Sequence, residues 1–270
     1  MAKLKNRKLR REIVATCRAM NEQGINQGTS GNVSARIPGD GGFLITPSGI
    51  PYEEMAPETV VEMDMAGGYR GDFLPSSEWR MHYDIYRVRP EAGAVVHTHA
   101  TFCTALSCRH LDIPAFHYMI GVGGGTSIRC AEYATFGTQA LSDHMLAALQ
   151  DRTAYLLANH GMICFGPTLT KALWLAVEVE TLARQYWYAK RDGKPFVLPD
   201  DEMQTVLARF KSYGKQADEL RPDEAPAVEP PPRRDRPVRA AGKRAAKPKP
   251  AKTSAKTAAT ARKARAKAAE

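Results

Sequence analysis

The sequence predicts a mixed α/β domain over residues 1–220, because short apolar runs of strand length alternate with longer segments of helical periodicity. With 43% hydrophobic residues, a chain of this length can bury one sizeable core. Residues 221–270 differ in composition, since Lys, Ala, Arg and Pro dominate and large apolar side chains are almost absent. Such a segment cannot bury enough surface to offset chain entropy, so we expect it to be a disordered tail.

The net charge of +9 comes from that tail. Residues 231–270 hold fourteen Lys and Arg against Asp235 and Glu270, a net +12, which leaves −3 for residues 1–230. The basic character therefore gives no reason to assign the domain to nucleic-acid binding. For the tail, two interpretations stay open: nonspecific contact with polyanions and a purely solubilising role.

Cysteine content and hydropathy indicate the environment of the protein. The five cysteines form no CxxC pair and follow no secretory leader, which predicts reduced thiols and a cytoplasmic location. No apolar run approaches the roughly 20 residues that a membrane-spanning helix needs. We therefore expect a soluble protein without a membrane partner.

The N-terminal part of the domain predicts a helix followed by a hairpin. Apolar residues recur at helical spacing from Leu9 to Met20, and the pattern stops before Gly24. Residues 33–37 alternate as a strand, and residues 43–46 return as its partner. The helix is therefore expected to precede a pair of antiparallel strands.

After a third strand near residues 59–64, Pro75 and two serines precede a second helix that reaches Tyr86. Glu78 lies in its first turn, where exposed backbone N–H groups favour an anion. A simple capping carboxylate is the alternative interpretation of Glu78. His82, one turn further along, is assigned to the helix surface or to core packing.

Two apolar runs end in histidines. The run over residues 94–99 closes with His97 and His99, whose i, i+2 spacing puts both rings on one face of a strand. The run over residues 155–161 closes with His160 before a glycine. Three neutral imidazoles with one open coordination position are typical of a catalytic zinc, although any one of them alone is commonly an ordinary histidine.

Several connecting segments are rich in glycine and hydroxyl side chains. The turns over residues 26–36 and 47–49 free backbone N–H groups that can converge on an anion, with a plain tight turn as the alternative. Residues 113–119 are expected to be extended, and the glycine run at residues 121–126 is expected to be a loop. Further helices are expected at residues 100–108, 135–150, 170–190 and 201–213.

The order of these motifs resembles the class II aldolase/adducin family. The similarity is carried by residues 26–34, 45–52, 74–80, 94–100 and 159–161. It extends through residues 113–119, 133–138, 171–176 and 210–214, covers roughly residues 5–215 and does not reach the tail. Within the family, the motifs are most similar to members that cleave L-fuculose 1-phosphate.

The resemblance implies a fold and an assembly. Family members of this type have a three-layer αβα domain with a largely antiparallel central sheet. They are homotetramers with active sites between subunits. This chain is therefore expected to share both features.

The resemblance also implies one Zn²⁺ per subunit, held by His97, His99 and His160. Glu78 would serve as general acid and base and would also approach the metal when no substrate is bound. Tyr118, from a neighbouring subunit, would exchange a proton with the aldehyde oxygen. The positions that match the family's phosphate-binding residues are Gly31, Asn32, Ser48, Gly49, Ser76 and Ser77, and those that match the lining of the aldehyde end are Phe136 and Tyr213.

The implied reaction is reversible cleavage of a ketose 1-phosphate to dihydroxyacetone phosphate and an aldehyde. The candidate substrates are L-fuculose 1-phosphate, 5-deoxyribulose 1-phosphate and 5-methylthioribulose 1-phosphate, the last of which would make the protein a salvage enzyme. Alternatives in the same superfamily are ribulose-5-phosphate 4-epimerase and methylthioribulose-1-phosphate dehydratase. Glu78 favours the aldolase over the epimerase, because the epimerases resemble this pattern with an Asp at that position.

A non-enzymatic alternative is an adducin-like scaffold whose basic tail binds polyanions. Such a scaffold would not need His97, His99 and His160, and the chain keeps all three. The sequence therefore favours an enzyme over a scaffold.

Overall fold

The computed structural model describes residues 4–39 and 41–215. The predicted tail at residues 221–270 and its polyanion contacts lie outside the described residues. The described strands are β1 (Asn32–Arg36), β2 (Phe43–Ile45), β3 (Val61–Met63), β4 (Tyr69–Arg70), β5 (Ala94–Thr98), β6 (Ile113–Pro114), β7 (Ser127–Ile128), β8 (Cys130–Ala131), β9 (Ala154–Leu157) and β10 (Gly161–Gly166).

Eight of these strands form one sheet in the order β4-β3-β2-β1-β5-β10-β9-β8. Every neighbouring pair is antiparallel except β8 with β9, which is parallel. Strands β6 and β7 pair separately as a short antiparallel ribbon. The prediction of a largely antiparallel central sheet is therefore confirmed.

The helices cover both faces of the sheet. Those described are α1 (Arg7–Glu22), α2 (Trp79–Val88), α3 (Thr101–Ser107), α4 (Gln139–Ala148), α5 (Leu169–Ala189) and α6 (Asp200–Phe210), with a 3₁₀ helix over Tyr118–Gly123. None of these helices has both the length and the apolar character needed to cross a membrane.

Two apolar cores show the three layers. One core joins α1, α3 and α5 to one face of the sheet, and the other joins α2 and α4 to the opposite face. Side chains of strand β5 point alternately into the two cores. Ala94 and Val96 belong to the first core and Val95 belongs to the second. The three-layer αβα architecture that the sequence predicted is thus confirmed.

The same alternation directs polar side chains towards α2. Asn32 on β1 lies directly opposite His97 on β5, and Ile163 on β10 lies opposite His97 from the other side. Since period-two alternation places residues i and i+2 on one face, Asn32 and Ser34 share the α2 face of β1. The N-terminal end of α2, at Trp79, therefore lies over the polar ends of β1 and β5.

The structure differs from the sequence prediction in several elements. Strand β10 was not predicted, although it lies at the centre of the sheet between β5 and β9. The segment expected to be extended is a strand only over Ile113–Pro114, and part of the expected glycine loop is the 3₁₀ helix that ends at Gly123. Helix α4 starts later than expected because the Thr138 hydroxyl caps it by accepting a hydrogen bond from the Leu141 N–H.

Candidate metal centre

Four side chains converge at the end of the central strands. Glu78, His97, His99 and His160 each offer one ligand atom, and these atoms all lie within 4.8 Å of one another. The three ring centroids are 4.8 to 5.0 Å apart and their planes are nearly perpendicular, at 74° to 77°. The structure thus brings together the four residues that the sequence analysis assigned to one metal site.

Each of the three histidines is positioned by a different local backbone feature. His97 belongs to β5, and His99 follows the end of that strand. His160 ends the turn between β9 and β10, where Asn159 adopts a left-handed conformation with φ of 54°. Gly161 allows β10 to approach closely, because a Cβ there would lie 2.5 Å from the Thr98 carbonyl oxygen.

Hydrogen bonding determines which nitrogen of His97 faces the cluster. Its Nδ1 lies 2.8 Å from the Met162 carbonyl oxygen, which can only accept, so Nδ1 carries the proton. In the neutral ring, Nε2 then presents a lone pair, and it lies 3.1 Å from Oε2 of Glu78. His160 Nε2 lies 3.0 Å from the other carboxylate oxygen.

The contact between His97 and Glu78 sets two hydrogen-bond acceptors against each other. Oε1 of Glu78 and the Nε2 atoms of His97 and His99 are buried and have no hydrogen-bond partner. A buried lone pair that faces a carboxylate is unfavourable unless a proton or a metal cation lies between them. The cluster therefore fits a bound cation, and its three nitrogens and one carboxylate oxygen suit zinc and similar divalent metals.

Protonation within the cluster agrees with a ligand role. Burial, together with the neighbouring rings of His97 and His160, lowers the pKa of His99 to about 4, so that this ring is neutral at pH 7. Burial alone would raise the pKa of Glu78, but the charge and hydrogen bonds of His97 and His160, when these rings carry a proton on Nε2, outweigh burial and hold that pKa well below its usual value. A neutral imidazole and an ionised carboxylate are the forms that bind metal.

A buried polar network supports Glu78 from the side of β1. The Asn32 amide nitrogen donates to Oε2 of Glu78 at 2.9 Å, and the Asn32 amide oxygen lies 2.5 Å from Nε2 of His82. His82 Nδ1 lies 2.7 Å from the Ser34 hydroxyl, which is 2.8 Å from the Tyr86 hydroxyl. His82 is fully buried, so of its two interpretations, helix surface and core packing, the second is correct.

A cleft of about 410 Å³ opens above the cluster. Thr46 to Gly49 and Leu74 to Ser77 lie side by side there, because Ser48 N–H donates to Leu74 and Ser76 N–H donates to Thr46. Gly31 has no room for a side chain, since a Cβ would lie 2.5 Å from Asn26 Oδ1. All six predicted phosphate positions line the cleft: Gly31, Asn32, Ser48, Gly49, Ser76 and Ser77.

The residues predicted for the aldehyde end are distributed differently. Phe136 lines the cleft, whereas Tyr118 and Tyr213 are not among its lining residues. Tyr118 stacks near Phe210, with ring centroids 6.4 Å apart, and Phe210 meets Tyr213 edge-on at 5.3 Å. Tyr118 and Tyr213 are about half exposed, so their predicted roles stay predictions.

Several lining residues were not predicted as site residues: Thr29, Ser30, Pro47, Tyr133, Ala134 and Asn159. All of them lie inside motifs or next to residues that were assigned. Their positions within those motifs could have predicted that they line the cleft, but their residue types alone do not indicate a functional role.

The fold and the site together define an enzyme with a cluster of potential metal ligands beside a small polar cleft. Residues 11–187 match the model of the family described as class II aldolase and adducin N-terminal domain. The chain belongs to this family, as the sequence resemblance predicted.

Relatives with assigned activities make the membership more specific. A 5-methylthioribulose-1-phosphate/5-deoxyribulose-1-phosphate aldolase of Rhodospirillum rubrum is 52% identical over 77% of this chain and 94% of that protein. An L-fuculose phosphate aldolase of Escherichia coli is 50% identical over 80% of this chain and all of that protein. A solved L-fuculose 1-phosphate aldolase structure superposes with a TM-score of 0.74 at 39% identity, covering 78% of this chain and 98% of that one. This member of the family is accordingly an aldolase, an aldehyde-lyase.

We expect His97→Ala to abolish metal binding, because it removes a buried ligand whose Nδ1 is already fixed on the Met162 carbonyl. Metal analysis of the purified protein should find about one ion per subunit in the wild type and almost none in the variant. His144→Ala is the matched control, since His144 lies outside the cluster, on α4, with its Nδ1 3.3 Å from the Glu132 carbonyl oxygen. Retention of the full metal content by His97→Ala would contradict the assignment.

Proposed function

We propose that this enzyme cleaves a ketose 1-phosphate reversibly to dihydroxyacetone phosphate and an aldehyde, with zinc bound by His97, His99 and His160. The observation that carries the proposal is the buried Nε2 of His97, which faces the Glu78 carboxylate at 3.1 Å and, like the Nε2 of His99, has no hydrogen-bond partner. A metal cation relieves that arrangement without disrupting the buried geometry. The named aldolase activities of the relatives support the reaction type.

One zinc per subunit is proposed because the donor set has three nitrogens, no thiolate and one carboxylate that substrate can displace. When bound, zinc supplies a Lewis acid that stabilises negative charge developing on the ketose oxygens during C–C cleavage. The histidines contribute orientation, since the Nδ1 of His97 is fixed by a backbone carbonyl. His97 is fully buried, whereas His99 and His160 are partly exposed where they line the cleft.

Glu78 is proposed as the general acid and base. Cleavage leaves an electron pair on the carbon that becomes the hydroxymethyl group of dihydroxyacetone phosphate, and that carbon must be protonated before release. The Glu78 carboxyl lines the cleft and is ionised in the free enzyme, so it can accept a proton and return it to carbon. The Asn32 N–H bonded to Oε2 keeps the carboxylate directed towards the reacting end.

The phosphate is proposed to bind between Gly31, Ser48, Gly49, Ser76 and Ser77. These residues line the cleft close to the beginning of α2, where the positive end of the helix dipole favours an anion. Both side-chain amide atoms of Asn32 are already bonded to Glu78 and His82, so any phosphate contact there would come from its main chain. Binding the phosphate far from the breaking bond helps to fix the geometry of the reacting carbons.

The aldehyde end is proposed to lie between subunits of a homotetramer. Phe136 is 65% exposed at the cleft, and Tyr118 and Tyr213 present half-exposed rings elsewhere on the surface. Exposed aromatic side chains of this kind are typical of interaction surfaces. Tyr118 of a neighbouring subunit would then exchange the proton of the aldehyde oxygen.

Three substrates fit the proposal equally in their phosphate and ketose ends: L-fuculose 1-phosphate, 5-deoxyribulose 1-phosphate and 5-methylthioribulose 1-phosphate. They differ in the aldehyde half, where a methyl or thiomethyl group changes selectivity by only about 1–3 kcal/mol. Glu78 in place of an aspartate favours aldol cleavage over ribulose-5-phosphate 4-epimerisation. Methylthioribulose-1-phosphate dehydration and a scaffold role are the further alternatives that the assays below address.

The remaining parts of the proposal concern organisation and location. We propose that residues 1–220 form the catalytic domain and that residues 221–270 are an appended tail with nonspecific polyanion contacts. All five cysteines are free, and three of them are buried, which supports a reducing, cytoplasmic location.

We expect wild-type enzyme to release dihydroxyacetone phosphate from at least one of the three substrates, because all three share the phosphate and ketose ends that the cleft is proposed to bind. Release should stop after chelation and return when zinc is added. A coupled assay with each substrate gives relative kcat/KM values and so selects the physiological aldehyde. No release from metal-loaded protein would favour the epimerase or dehydratase, and absence of both metal and activity would favour a scaffold.

We expect Glu78→Gln to keep its metal and to lose at least about 100-fold in kcat, since general acid–base catalysis typically contributes 10²–10⁴-fold. Metal analysis and steady-state kinetics measure the two effects separately. Glu91→Gln is the matched control, because Glu91 is an exposed carboxylate paired with Arg89. A fully active Glu78→Gln enzyme would rule out the proton-transfer role.

A further inference from the structure

His82 is a fully buried histidine outside the metal cluster whose two ring nitrogens are both engaged. It lies on α2 one turn after Glu78, so both side chains point towards β1. Its ring spans the pair Asn32 and Ser34, which share one face of β1. Glu78 thus reaches β1 through Asn32, the same residue that His82 contacts.

The Glu78 carboxylate determines the direction of every hydrogen bond in this network. An ionised carboxylate only accepts, so the Asn32 amide nitrogen must face it and the Asn32 oxygen must face His82. Nε2 of His82 therefore carries the proton and donates it to that oxygen. Nδ1 then accepts from the Ser34 hydroxyl, whose oxygen accepts from the Tyr86 hydroxyl.

The ring is neutral, so the contact with the Asn32 oxygen decides which of its nitrogens is the donor. Burial, with the His97 imidazole adding to its effect, lowers the pKa of His82 to about 3. A doubly protonated ring would donate from both nitrogens, whereas the neutral ring has one donor and one acceptor. The four hydrogen bonds between Tyr86 and Glu78 consequently form one chain with a single direction.

We propose that His82 is a positioning residue that holds the Asn32 amide with its N–H, rather than its carbonyl, against the Glu78 carboxylate. This inference rests on the proposed role of Glu78 in proton transfer. Without the donor on His82, the Asn32 amide can rotate, and its carbonyl oxygen would then lie about where the amide nitrogen now is, 2.9 Å from Oε2. Two acceptors at that separation repel, so the carboxylate would leave the position from which it reaches the substrate.

Two amide substitutions separate positioning from packing. The amide nitrogen of glutamine reaches the position of Nε2, so His82→Gln keeps a donor for Asn32. The shorter amide of His82→Asn reaches only the position of Nδ1 and keeps the Ser34 contact alone. Both variants carry the same chemical group in the same buried site.

We expect His82→Asn to lower kcat by about 10–100-fold, the usual cost of removing a group that orients an active-site side chain, with KM and metal content nearly unchanged. His82→Gln should restore kcat to within about threefold of the wild type. Exchange of the hydroxymethyl proton of dihydroxyacetone phosphate with deuterated solvent should follow the same order, because it reports proton transfer at carbon alone. Equal activity of the two variants, or a loss confined to KM or metal content, would overturn the proposal.

The tautomer of His82 in the wild type gives a measurement that does not depend on either variant folding. Nitrogen-15 NMR of protein labelled at histidine should place the proton of His82 on Nε2, and a proton on Nδ1 would refute the inference. The two proposals fail in different ways. If Glu78→Gln stays active, the proton-transfer role fails, whereas an inactive Glu78→Gln beside an unimpaired His82→Asn removes only the positioning role.

Discussion

The structure depends on a contact that is unfavourable unless a proton or a metal cation bridges it, the approach of the His97 Nε2 lone pair to the Glu78 carboxylate. His97 and His160 place Nε2 atoms 3.1 and 3.0 Å from the two oxygens of that carboxylate. Strand β5, the turn before β10 and the start of α2 meet at this point. The antiparallel order of the sheet brings these distant segments together, because β5 pairs with both β1 and β10.

The surroundings of the cluster explain how that geometry persists. The Met162 carbonyl fixes the ring of His97, and the Asn32 amide fixes one oxygen of Glu78. Both partners come from strands adjacent to β5, so the sheet holds the supporting groups as rigidly as it holds the ligands. A site of this kind needs little rearrangement to bind a metal, which is the usual condition for electrostatic catalysis.

The parts of the site that follow from the local periodicity of a strand or a helix could be predicted from the sequence. The i, i+2 spacing of His97 and His99 fixed their common face, and the helical pattern after Pro75 placed Glu78 in a first turn. The glycine after His160 predicted a turn, although its closest constraint is the approach to Thr98. Those inferences required only the neighbouring residues along the chain.

Features that depend on pairing between distant segments were not predictable in the same way. Strand β10 is buried throughout, so it shows no alternation, and a short apolar run of this kind is ambiguous between helix and strand. His82 looked like an ordinary helical residue because its partners on β1 lie about 50 positions away in the sequence. Tyr118 and Tyr213 do not line the cleft, so the roles that the sequence resemblance implies for them stay predictions.

X-ray absorption spectroscopy at the zinc edge tests the central claim most directly, because it reports the atoms around the ion in the intact protein. A site formed by His97, His99 and His160 should give nitrogen or oxygen neighbours at about 2.0–2.1 Å, with the multiple scattering of imidazole rings. Sulfur neighbours at about 2.3 Å would place the ion on cysteines instead and would contradict the proposed centre.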